Sequence, residues 1–336
     1  MMASHDLSGD ERSFLSNLYW WGVPTLFGCP HIEDPGQCDI ALVGVPHSSG
    51  NGATERDQHL GPRAVRNISG QFRRAHGAFR FSPWEECRIH DVGDVLLPQA
   101  MVNDVSVRDI EAYYKTLDEA GVRPVSVGGD HSITGPIVKA IAGSGARLSG
   151  GQKAALLHVD AHTDTYDHLP HWLGSVRSAA HWGSYIVTEG HIDTAKSVQL
   201  GIRGHTYTLD WKRSSERLGY RVITFDEFQE LGIARTVEIV RERVGDAPLY
   251  ITFDLDALDP TVAPAVAAIV PTTGFLMHEA IRILQGMRGL NVIGADVVCM
   301  VPTKDNPNQI TALNATAILF EQLCLIVDYM KTHREG

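Results

Sequence analysis

At 336 residues the chain is long enough for one large α/β domain or two ordinary ones, and its 43% hydrophobic and 21% charged residues allow a sizeable buried core. A formal charge of −11 argues against nucleic acid or an anionic membrane as a partner. The opening MMASHDLSGDERSFL is charged too early for a signal peptide, and no stretch approaches the roughly eighteen apolar residues of a membrane span. With Cys29, Cys38, Cys87, Cys299 and Cys324 scattered and free of CxxC spacing, a reduced cytoplasmic protein is expected.

Residues 1–38 are irregular, and Trp20, Trp21 and Phe27 with Pro24 and Pro30 predict a packed arm over the core or a neighbouring subunit. From residue 39 onward short β-rich apolar runs alternate with helical stretches. Strands are predicted at 39–46, 88–94, 123–128, 154–159, 196–202, 221–225, 248–253 and 291–296. Helices are predicted at 62–75, 106–120, 234–244, 276–287 and 308–331, the first entered through Gly61-Pro62 with proline in its first turn. No repeat or linker interrupts the pattern, so 39–336 reads as a single catalytic domain. Near-continuously apolar strands alternating with helices mean a parallel sheet covered on both faces. Such sheets bind ligands beyond the carboxyl ends of their strands.

Three short runs sit at those ends. GGDHS carries His131, DAHTD carries Asp160, His162 and Asp164, and TFDLDALDP carries Asp254 and Asp256. In an extended chain residues i, i+2 and i+4 share a face, so each run aims its ligands at one point. Four carboxylates and two imidazoles suit two divalent ions about 3.5–4 Å apart, which make hydroxide from water at neutral pH. A lone DxHxD is weak, because turns after strands are rich in Asp. Burying four carboxylates together without cations, however, costs several kcal/mol per charge. A metal-dependent hydrolase is therefore predicted. Gly128-Gly129 allow a tight strand exit and close backbone approach. Asp130 reads as a group that orients neighbours, His158 as a core histidine, and Asp259-Pro260 as a turn without chemistry.

The same runs, GGDHS, DAHTDTY and TFDLDALDP, resemble the ureohydrolase family of arginase and agmatinase. EGHIDTAKSVQLGIRG, GDAPLYITFDLDALDP and NVIGADVV look most like agmatinase, and the likeness spans roughly residues 39–330. The resemblance implies a three-layer α/β/α sandwich around an eight-stranded parallel sheet, assembled as trimers or hexamers. It implies two divalent ions per subunit, Mn2+ or Ni2+. His131, Asp160, Asp164 and Asp254 would hold one ion and His162, Asp160, Asp254 and Asp256 the other. It also implies attack of water on a guanidinium carbon, with Asp164 accepting a hydrogen bond from the nucleophile. An amine is expelled, and urea or a substituted urea remains. His181, in AAHWGSY, lies where the family has a proton-shuttling histidine, and His171 is its rival.

Two departures from the family pattern lie beside the substrate. The glycine-rich segment after the DxDxxDP run is here Pro264 to Phe275, where Val266, Ile269 and Val270 make an apolar wall. The DVVE glutamate that pairs with the guanidinium is here Cys299, which removes about 1.5–3 kcal/mol of charge-assisted hydrogen bonding. Glu55 and Asp57, in the loop after the first strand, are candidate replacements. The expected substrate is a small or alkylated guanidine, such as guanidine or a metformin-type biguanide, rather than agmatine. The alternatives are an agmatinase or guanidino-acid hydrolase, or a non-catalytic subunit that partners an active paralogue.

Overall fold

The computed structural model describes residues 22–51, 57–72, 74–166, 177–206 and 209–333. Each predicted strand forms: β1 Ile40–Val45, β2 Ile89–Asp94, β3 Arg123–Gly128, β4 Ala155–Val159, β5 Val198–Ile202, β6 Arg221–Thr224, β7 Leu249–Asp254 and β8 Val292–Val298. They make one parallel sheet in the order β2-β1-β3-β8-β7-β4-β5-β6. Successive side chains of a strand point to opposite faces. Leu42, Val125, Val127, Leu157 and Ile251 thus enter one core, and Ala41, Val43, Val45, Leu156 and Tyr250 the other. Strands apolar on both faces can be buried only between two layers of helices.

The helices are α1 Gly61–Ser69, α2 Pro83–Glu86, α3 Asn103–Ala120, α4 Thr134–Ile141, α5 Trp182–Thr188, α6 Arg213–Leu218, α7 Phe225–Val244, α8 Met277–Gln285 and α9 Ile310–Thr332. Helices α1, α7, α8 and α9 share the first core, and α3, α4 and α5 the second. The result is a three-layer α/β/α sandwich. Helix α7 begins well before the predicted residue 234. Its start is capped by the Thr224 hydroxyl, which accepts from the Glu227 amide, and Gly232 at φ +70° interrupts its helical geometry. Helices α2, α4, α5 and α6 were not expected, because each runs eight residues or fewer, too short for a helical period to show.

Helix α9 corrects the reading that no stretch is long and apolar enough for a membrane span. Within its 23 residues an 18-residue window reaches a mean hydropathy of 1.8, and 78% of that window is buried inside the protein. Its apolar surface is spent on the first core, where Leu319, Leu323 and Ile326 pack beneath the sheet. At the other end of the chain Leu26 and Phe27 are buried too. The Phe27 ring meets Phe72, Trp84 and Phe320, and the Leu26 amide donates to Asp91. Trp20 and Trp21 lie outside the described residues.

Candidate metal centre

All three runs emerge where the sheet topology puts them, beyond the carboxyl ends of the central strands β3, β4 and β7. The exit of β3 needs glycine twice. A Cβ on Gly128 would come within 2.7 Å of Ile133 and 2.8 Å of Val298, and one on Gly129 within 2.2 Å of the His47 carbonyl oxygen. Asp130 then organises the loop after β1: one oxygen accepts from the Gly50 and Asn51 amides and the other from the Ser132 amide and hydroxyl. That leaves His131 as the residue aimed inward.

Strand alternation does not gather the ligands, contrary to the expectation from spacing. Strand β4 ends at Val159, so Asp160, His162 and Asp164 lie in a bend, with Asp164 in the left-handed region at φ +49°. Strand β7 ends at Asp254 and passes into a 3-10 turn, Leu255–Ala257. Asp160 accepts from the His162 amide at 2.6 Å, and Asp254 from the Asp256 amide at 2.9 Å. Each leading aspartate folds its own loop, and the loops converge because aspartate side chains mimic a backbone turn.

The six residues form two clusters. His131 Nδ1 stands 3.0 Å from Asp160 Oδ2, 3.0 Å from Asp164 Oδ2 and 3.1 Å from Asp254 Oδ2. His162 Nδ1 stands 2.9 Å from Asp256 Oδ2 and 3.5 Å from Asp160 Oδ1. Asp160 therefore joins the clusters, one oxygen in each. All four carboxylates and His131 are buried, while His162 is partly open to solvent.

The donor set fits cations. His131 Nε2 faces the Thr252 hydroxyl at 2.9 Å, and that hydroxyl donates to Asp296 at 2.5 Å, so Nε2 carries the proton and Nδ1 a lone pair. Nδ1 has no hydrogen-bond partner, yet three carboxylate oxygens surround it. Lone pairs converging on one buried point repel unless a cation lies between them. Protons are the substitute when no ion is bound. Burial opposes charging His131, but Asp160, Asp164 and Asp254 override it and push its pKa well above the usual range, and Asp256 with Asp160 does the same for His162. Burial, then Asp254 and Asp160, push the Asp256 carboxyl well up, and burial with Asp160 raises Asp254.

Three supporting contacts escape any motif. The Gln199 amide nitrogen donates to His158 Nδ1 at 3.0 Å, so His158 Nε2–H donates to Asp160 at 2.7 Å. His158 is a core histidine, as expected, but one that aims the shared carboxylate. Trp182 Nε1 donates to Asp164 at 2.8 Å, and its ring lies 4.7 Å from that of His131. Asp296, paired in register with Thr252 across β7 and β8, accepts from Thr252, Thr134 and Tyr250. A carboxylate inside the apolar run NVIGADVV was the available signal for it. Groups that orient a metal-ligating imidazole matter to affinity. Thr252→Val is expected to weaken divalent-metal binding about 10–100-fold in a chelator competition assay, and unchanged affinity would refute the relay.

The remaining candidates divide. His181 is buried just before Trp182, with Nδ1 2.6 Å from the Ser178 hydroxyl. Cys299 belongs to the centre: its thiol lies with His131 and Asp254, their ligand atoms within 4.8 Å of one another. Val266 is buried and bridges to Met300, and the Ala267 amide donates to the Cys299 carbonyl, so this segment lies alongside Cys299. The Asp57 carboxylate accepts from the Thr303 hydroxyl at 2.6 Å. Glu55 and His171 lie outside the described residues.

Comparison with known proteins agrees with this geometry. The chain is 36% identical over 312 residues to guanidinopropionase from Pseudomonas aeruginosa, covering 91% of this chain and 92% of that one. It is 35% identical over 305 residues to the mitochondrial guanidino acid hydrolase of Homo sapiens, covering 91% and 83%. The solved structure of proclavaminate amidino hydrolase from Streptomyces clavuligerus superposes with a TM-score of 0.85 at 28% identity, over 93% of this chain and 99% of that one. The arginase family model matches residues 38–324, and with the fold and the paired imidazole–carboxylate clusters this establishes that the chain belongs to the arginase family of metal-dependent amidinohydrolases.

Proposed function

We propose that this chain hydrolyses a C–N bond of a small or alkylated guanidine, a free guanidine or a metformin-type biguanide, to urea or a substituted urea and an amine or ammonia. The observation that carries the reaction class is the pair of clusters sharing Asp160. His131, Asp160, Asp164 and Asp254 would hold one divalent ion, and His162, Asp160, Asp254 and Asp256 the other. Bound there, Mn2+ or Ni2+ lowers the pKa of water toward 7 and supplies the nucleophile. Asp164, fixed by Trp182, accepts the nucleophile's remaining hydrogen bond. His181, oriented by Ser178, gives its proton to the departing nitrogen. All six ligand positions keep their side chains, which argues for a catalytic subunit rather than a silent partner. We further propose a cytoplasmic trimer or hexamer, formed alone or with a paralogous subunit.

The substrate follows from the wall. A cysteine stands at 299 where agmatinases have a carboxylate, beside the apolar Val266 and Ala267. Any guanidinium loses its charge-assisted partner there, whatever its tail, and the apolar wall offers contact to alkyl groups in its place. A second reading is favoured by the names of the relatives: guanidinopropionase and guanidino acid hydrolase point to an ω-guanidino acid. Urea release from guanidine, metformin, guanidinopropionate, guanidinobutyrate, agmatine and arginine separates the two. A kcat/KM on guanidine or metformin at least about tenfold above agmatine is expected where the apolar wall, not a carboxylate, selects the substrate. A clear preference for a guanidino acid establishes the second reading, and a preference for agmatine overturns both.

A further inference from the structure

Cys299 is held in a conformation that a packing residue does not need. It follows the last residue of β8 and sits at φ +69°, in the left-handed region that non-glycine residues rarely occupy. Its backbone is clamped on both sides: the amide donates to the Gly129 carbonyl at 2.8 Å and the carbonyl accepts from the Ala267 amide at 2.9 Å. A costly conformation persists only where its surroundings over-determine it, and such residues gather at functional sites. Here the clamp places the thiol among His131 and Asp254, all three ligand atoms within 4.8 Å of one another. His131 of that group is almost wholly buried, and its Nδ1 has no hydrogen-bond partner. One imidazole nitrogen, one carboxylate oxygen and one sulfur, within 4.8 Å of each other, are spaced as ligands around a single ion.

We propose that the Cys299 sulfur is itself a ligand of the ion held by His131 and Asp254. On loading, the S–H bond breaks, a sulfur–metal bond forms and the proton passes to solvent, with no electron transferred. A centre with one sulfur among its nitrogen and oxygen donors favours Ni2+, Co2+ or Zn2+ over Mn2+, because carboxylate-only surroundings suit Mn2+ and thiolate suits the softer ions. The inference rests on reading the site as a two-metal centre, and it deepens that reading by choosing the metal. The other four cysteines are buried in the hydrophobic cores and belong to none of the potential metal groups among the described residues, so a sulfur–metal signal reports Cys299 alone.

The test uses the full chain loaded with Co2+, as wild type, Cys299→Ser and Cys299→Ala. Wild type is expected to bind two Co2+ and show a near-ultraviolet thiolate-to-cobalt charge-transfer band that both variants lack. Both variants should bind the first Co2+ or Ni2+ at least about tenfold more weakly while Mn2+ affinity stays nearly unchanged. Far-ultraviolet circular dichroism like that of wild type shows that a variant has folded. Should Cys299→Ala misfold, the near-isosteric Cys299→Ser decides, and wild type alone must still show the band. Two bound Co2+ without the band in wild type overturns the sulfur ligand and leaves the metal centre standing. No bound Co2+ in wild type overturns the metal centre as well.

Discussion

Asp160→Asn is expected to abolish binding of both ions and to lower urea release at least about 10^3-fold, the scale of losing the electrostatic core of a hydrolytic site. Among the described ion pairs, Asp160 is the one carboxylate that reaches both imidazoles. Each of its oxygens is already committed. Oδ2 takes the His158 proton at 2.7 Å and faces His131, while Oδ1 takes the His162 amide at 2.6 Å. An asparagine keeps one acceptor but turns an NH2 toward one cluster, putting a donor where an ion needs a lone pair. Burial opposes its ionisation, but His158, then His131 and His162, hold the Asp160 carboxyl well below the usual range. It therefore meets metal already charged. Asp259→Asn is the control, because Asp259 caps its own turn by accepting from Thr261 and belongs to none of the potential metal groups among the described residues. Metal content and urea release measured together decide: two bound ions, or more than about a tenth of wild-type activity, in Asp160→Asn would count against the shared carboxylate.

Most of the sheet was legible because its strands are buried on both faces, and a six-residue run such as Ile40–Val45 leaves little choice of state. The short helices were not, since eight residues or fewer leave little room for a helical period to show, and Gly232 hides the first turns of α7. The ligands were legible by type and spacing, but the reason for their convergence was not. The spacing suggested strand alternation, whereas Asp160 and Asp254 each bend their own loop through a side-chain bond to the backbone two residues on. The positioning groups were hidden for another reason. Thr252 and Asp296 are far apart in sequence and meet only because β7 and β8 pair in that register. Gln199 reaches His158 in the same way, across β4 and β5. Contacts set by register are decided by the whole sheet, so no local motif announces them.

Chelating the metal is expected to lower the melting temperature, and to lower it more as pH rises from about 6 to about 8, the range in which imidazoles discharge. Without metal, protons must hold the clusters together. His131 and His162 have folded pKa values raised above the ordinary 6.5 by neighbouring carboxylates, against the opposing effect of burial. A raised group contributes stability that is complete below its unfolded value and is lost as pH climbs through its folded value. Asp254 and Asp256 follow the same rule, since burial and their neighbours lift both above 3.8. Asp160 has the opposite sign, but its contribution disappears only as pH falls below about 3.8, outside the window. The metal-free protein should therefore melt at progressively lower temperature above about pH 6.5. The loaded protein should not, because the ions have displaced those protons and bind more tightly as pH rises. At free metal a thousandfold above Kd each ion adds about 4 kcal/mol, so full loading should raise the melting temperature by roughly 10 °C or more. Calorimetry in chelator and in excess Mn2+ or Ni2+, across that pH range, reads both effects. A chelator scan that is flat or rises with pH would mean that the four raised groups do not carry the protons this geometry gives them.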